Sequence, residues 1–117
     1  MSRDYRLYVL DVIDFCERVL DYTNGLELPE LIASRMAFDA VMRNLELICE
    51  ASKNIPETER AQIPNIEWRN IIGMRNWIAH AYFGVSNEVI WTAIQQKVPE
   101  LLTAVRAYAE QNQISKR

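Results

Sequence analysis

Three side chains within eight consecutive positions hold most of the reactive chemistry of this chain: Arg75, His80 and Tyr82. His80 is the only histidine, and the stretch from Gly73 to Gly84 is bracketed by two of the three glycines. Histidine is the one side chain that titrates near neutral pH without special tuning. Arginine is a permanent cation whose planar fork matches phosphate oxygens. Together they could break an RNA strand without a metal. The imidazole would move a proton at the 2′-hydroxyl or the leaving oxygen, and the guanidinium would hold the phosphate and its developing charge. The 2′-hydroxyl is itself the nucleophile, so the protein need not supply one, and the product end is a cyclic phosphate.

Helix geometry limits how these groups meet. At ~100° per residue, Arg75 and His80 lie about 140° apart around an ideal helix, whereas Asn76 and His80 lie about 40° apart. One straight helix therefore does not aim Arg75 and His80 at one point. The helix could change near Ala79–Ala81, or the long arginine could reach around it. The arrangement favoured here is that two copies pool their residues across a two-fold axis. Asn76 would then orient the imidazole or touch the phosphate.

The surrounding elements read as helices. Tyr5, Val9, Val12, Cys16, Val19 and Leu20 recur at helical spacing, predicting a first helix over 4–22 that stops at Thr23-Asn24-Gly25. A short turn is expected at 31–33. A second long helix is expected over 34–53, its apolar stripe being Phe38, Val41, Met42, Leu45, Ile48 and Cys49. Arg43 is spaced to pair with Glu46 or with Asp39. Pro56 marks a helical turn or two within 57–62. Asn65 is the expected N-cap of a third long helix over 66–81. Gly73 in its middle suggests close approach by a neighbour, since glycine there weakens a helix. Ser86 or Asn87 caps a fourth helix with Ile90, Trp91, Ile94 and Val98 inside. Pro99 interrupts or restarts it, and a last helix carries Leu101, Leu102, Val105, Tyr108 and Ala109. Residues 111–117 read as a frayed tail. No stretch alternates with period two, so the expected fold is all-α: an antiparallel bundle of four to five helices in a single domain over 1–117.

Composition narrows the function classes. The net charge of −3, with both signs interspersed, argues against a surface coated in basic charge for broad nucleic-acid binding. Half of the 117 residues are apolar, enough for a core, yet a chain of this size exposes much of its surface and suits a dimer. Cys16 and Cys49 each fall on an apolar stripe and read as buried, reduced thiols. One histidine and two scattered cysteines make no metal-ligand set, so neither metal nor cofactor is expected. No apolar segment approaches membrane-spanning length, and the chain is read as cytoplasmic. Trp68, Trp77 and Trp91 read as core or interface residues, and Arg43 and Arg69 as solvated or paired ones.

The stretch resembles the R-x4-H-x-Y motif of the HEPN superfamily, in its HepT-like toxin branch. Arg75, His80 and Tyr82 match the defined positions, and Asn76 matches the polar residue that often follows the arginine. The flanks are similar too: Arg43-Asn44-Leu45-Glu46-Leu47-Ile48 and Glu50-Ala51 in the second helix, Pro64 to Trp68, Gly73-Met74-Arg75-Asn76, and Tyr82-Phe83-Gly84-Val85. Likeness extends over most of the chain, from about residue 5 to 105. Ala81 and Cys49 stand where the family often has glycine.

The resemblance implies a helical bundle that forms a homodimer, with both motifs lining one cleft. It implies a metal-independent endoribonuclease toxin, Arg75 and His80 being the catalytic pair and RNA the substrate, with tRNA, messenger RNA and ribosomal RNA all open. It further implies a type VII toxin–antitoxin system, with a minimal nucleotidyltransferase (MntA-like) antitoxin that moves AMP from ATP onto Tyr82. A bulky anion on Tyr82 would block the cleft and repel RNA phosphates. The alternative is a non-catalytic helical subunit that recruits a partner within a two-component nucleotidyltransferase.

Overall fold

In the computed structural model, which describes residues 3–79 and 86–116, helices account for nearly all regular structure. They are α1 (Tyr5–Thr23), α2 (Leu28–Ala33), α3 (Arg35–Lys53), α4 (Glu57–Arg60), α5 (Trp68–Ile78), α6 (Asn87–Thr92) and α7 (Val98–Gln111), with a π-helical stretch, Ala93–Lys97, joining α6 to α7. The all-α expectation holds. Helix α3 is central, packing against α1 on one side and α5 on the other, and α7 closes over α1. Among the described residues no helix is long and apolar enough to cross a membrane.

The apolar stripes explain this arrangement. Val9, Val12, Cys16 and Val19 of α1 are fully buried, as are Val41, Leu45 and Ile48 of α3. Met42 and Cys49 are buried beside them, and Ile71, Met74 and Ile78 present the matching face of α5. Phe38, Trp68, Trp77 and Trp91 are half-buried against this core. Both cysteines are free and buried. Burial pushes each thiol up to about 12, so neither is a nucleophile at neutral pH.

Several ends follow from local chemistry. Ser34 and Ser86 cap α3 and α6, their hydroxyls accepting from the N–H groups of Ala37 and Glu88. Gly25 takes a left-handed φ of +79° just beyond α1, as the Thr23-Asn24-Gly25 stop requires. Pro29 lies in the first turn of α2, where its missing N–H leaves no helix bond unmade. This helix therefore begins three residues earlier than 31–33.

Three local expectations are corrected. Asn65 does not cap α5: it adopts a left-handed φ of +67°, and Glu67 takes the cap position, its side chain bonded to the Asn70 side chain rather than to a backbone N–H of the first turn. Gly73 does not mark a tight helix crossing, because a Cβ there would meet nothing within 4 Å among the described residues. Pro99 restarts the helix, as expected: α7 begins at Val98 with the proline in its first turn. Val98 donates to the Ala93 carbonyl, a π-type bond five residues back, and this wider turn accommodates the imino ring one residue later. Finally, the tail is docked. The Ile114 N–H donates to the Ala109 carbonyl at 2.8 Å and its side chain is buried. Gln113 makes the reversal at φ +57°.

Candidate active site

Helix α5 delivers the first half of the motif. Its buried face is set by Ile71, Met74 and Ile78, and Arg75 lies about 60° around the helix from Ile78. The guanidinium thus emerges at the edge of the α3–α5 seam rather than inside it. The Arg75 main chain is fixed by the last α-helical bond of α5, from the Ala79 N–H to the Arg75 carbonyl at 3.0 Å. A cation in this last turn also faces the negative end of the helix dipole.

Across the seam, α3 offers a charged stripe. Asp39, Arg43, Glu46 and Glu50 follow a four–three–four spacing and fall within about 60° of one helical face. Arg43 pairs with Glu46 on that stripe, as its spacing predicts. Arg75 Nη1 donates to Glu50 Oε2 at 2.7 Å. Both partners are half-exposed, at 58% for Arg75 and 49% for Glu50. Beside them, Asp39, Met42, Arg43, Glu46, Ile78 and Ala79 wall an open depression of about 320 Å³ where α5 ends.

Of the expected site residues, Arg75 and Asn76 sit on consecutive positions of α5, and both are exposed. Among the described residues, Asn76 has no side-chain hydrogen bond. His80 and Tyr82 lie outside the described residues. The sequence alone puts Glu50 off the apolar stripe of α3 and gives no sign of its link to Arg75. Local spacing cannot reveal that link, because the two residues stand 25 positions apart on different helices. The usable signal was the recurrence of charge along one face of α3, next to its apolar stripe.

The arrangement can hold an anion. A guanidinium has five N–H donors. With one bond made to Glu50 and more than half of the side chain exposed, remaining donors are open to solvent and can grip a phosphate.

A second, more apolar groove of about 390 Å³ lies between α5 and α6, lined among others by Met74, Trp77, Val89 and Ala93. It falls on the other flank of α5, since Trp77 and Arg75 are about 160° apart on the helix.

An all-α bundle with an exposed, carboxylate-anchored arginine opening the R-x4-H-x-Y motif defines the class. A family model described as ribonuclease HepT-like matches residues 12–108, and the chain belongs to the HepT-like ribonuclease family. A protein of Thermococcus cleftensis named "Probable ribonuclease HepT" is 35% identical over 101 residues, which is 86% of this chain and 92% of that protein. A protein of Methanocaldococcus jannaschii, named provisionally as an RNase, is 32% identical over 86% of this chain and 92% of its own length. Another, from Caldanaerobacter subterraneus and named in the same way, is 33% identical over 86% of this chain and 90% of its own length. No solved structure gives a significant match.

Proposed function

We propose that this protein is a metal-independent endoribonuclease in which Arg75 binds and stabilises the scissile phosphate and His80 moves the proton. The observation that supports this best is the position of Arg75. It is exposed at the edge of the α3–α5 seam, held among the described residues by a single carboxylate contact, on the helix that precedes His80 in the sequence. Membership in a ribonuclease family supports the same reading. Asn76 supports the histidine or the phosphate. The spacing of Arg75 and His80 in the sequence, about 140° apart on an ideal helix, favours a homodimer that brings both motifs to one cleft. The direct test is incubation of pure protein with bulk tRNA and with total RNA in excess chelator. Cleavage with cyclic-phosphate ends supports the reading, and loss of cleavage on chelation contradicts it.

The same reading makes the chain the toxin of a type VII toxin–antitoxin pair. A minimal nucleotidyltransferase antitoxin would neutralise it by transferring AMP from ATP onto the Tyr82 hydroxyl with release of pyrophosphate. Intact mass after incubation with ATP, magnesium and the neighbouring nucleotidyltransferase tests this. Mass should rise in steps of one AMP for the wild type and stay constant for Tyr82→Phe. Unchanged wild-type mass would remove the modification and leave inhibition by binding.

A non-catalytic, partner-recruiting subunit is the second reading. It is favoured by the excess of carboxylates on the α3 stripe, where Asp39, Glu46 and Glu50 stand beside Arg43. It requires tight partner binding with no RNA cleavage by pure protein.

A further inference from the structure

We propose that Glu50 is a positioning residue for Arg75, fixing the guanidinium for phosphate binding from the neighbouring helix; this rests on the ribonuclease reading above. Arginine has a long, flexible side chain, and more than half of Arg75 is exposed. Left alone, it would sample many rotamers, few of which hold the guanidinium at the α3–α5 seam. Glu50 stands on a rigid platform. Its neighbours Ile48, Cys49, Ala51 and Ser52 are all buried, which fixes the α3 backbone beneath it. The contact is a single bond from Nη1 to Oε2, so it orients the group without occupying its remaining donors. A bidentate pair would compete directly with a phosphate for both arms of the fork. Among the described residues, Glu50 is the carboxylate paired with Arg75. Because the pair is half-exposed, it adds little to folding, and its effect lies in where the cation sits.

This role predicts a split between rate and binding. Removing the carboxylate frees the arginine and slows cleavage, yet also removes a negative charge that repels RNA. Glu50→Gln should lower kcat on bulk tRNA about fivefold, the scale of an exposed ion pair, with KM unchanged or lower. Glu50→Asp keeps the charge, and the arginine can follow the shorter side chain, so it should retain most of the rate. In an Arg75→Ala background Glu50→Gln should have no further effect, because the two residues act as one unit.

The experiment measures kcat and KM for these variants together with arginine side-chain ¹⁵N spectra, the Arg75 signal being assigned by Arg75→Lys. The expected result is the rate–binding split with a shifted, more mobile Arg75 signal in Glu50→Gln. An unchanged Arg75 signal, an unchanged or higher kcat, or an equal loss in the Arg75→Ala background would overturn the proposal. A changed Arg75 signal with no cleavage by the wild type would overturn the ribonuclease reading, and with it the catalytic use of the pair, while the pairing itself stood.

Discussion

Arg75 on α5 and Glu50 on α3 meet across the helix seam through one hydrogen bond of 2.7 Å, with both side chains half-exposed. An ion pair in that setting contributes at most about 1 kcal/mol to stability, whereas a phosphate-binding arginine is essential to the proposed chemistry. Stability and activity should therefore separate at this position. Arg75→Ala is expected to shift unfolding free energy by less than about 1 kcal/mol while slowing RNA cleavage by about a hundredfold or more, to a low but measurable rate. Denaturant unfolding measured beside a cleavage assay checks both, and a strongly destabilised variant would mean that Arg75 is a structural residue.

Gly73 sits in the middle of α5 with open space where a Cβ would be. Glycine there costs helix stability without easing any contact among the described residues. Gly73→Ala should stabilise the protein by about 0.5–1 kcal/mol, through the smaller entropy of the unfolded chain. A thermal unfolding midpoint that falls in this variant would show that the position needs glycine in an assembly or complex.

Ile114 anchors the segment after α7 through its buried side chain and its bond to the Ala109 carbonyl. Ile114→Ala should lower stability by roughly 2 kcal/mol, the low end for such a truncation because a chain end can partly collapse onto the gap. Equilibrium unfolding in urea measures it, and a change below a few tenths would mean that the tail is free in solution.

Cys16 and Cys49 each have a thiol pushed up to about 12 by burial, against an ordinary value of 9.0. In the unfolded chain they ionise nearer the ordinary value, so the folded state binds more protons above it. Their contribution to stability is complete below about pH 9 and is lost as pH rises towards 12. Tyr108, raised by burial and by its bond to Glu59, acts in the same direction. The urea midpoint should fall through this range, and more shallowly in Cys16→Ala with Cys49→Ala. Alkylation of the native protein at neutral pH should be slow, and fast modification of either thiol would contradict its burial.

Much of the fold was legible because helical periodicity is a property of the sequence itself. The stripes of α1, α3 and α7 became the core, and Ser34 and Ser86 capped the helices they precede. Features that depend on three-dimensional context were harder to read. The restart at Pro99 was readable, whereas the π-type stretch before it leaves no separate mark on the sequence. Asn65 looked like a cap, yet asparagine suits both a cap and a left-handed turn, and packing chose the turn. Ile114 looked like part of a frayed tail because its burial depends on a chain reversal at Gln113. At the site, Arg75 and Asn76 could be placed by motif and helix phase, whereas Glu50 could be joined to Arg75 only once α3 and α5 were packed together.

The central claim is that Arg75 and His80 cleave RNA, and the most direct measurement compares pure wild-type protein with His80→Ala on the same tRNA, with analysis of the product ends. The account predicts 2′,3′-cyclic phosphate ends from the wild type and a loss of rate of at least about a hundredfold in the variant, the scale of a lost general acid–base group. Equal cleavage by wild type and His80→Ala, or none by either, would contradict it.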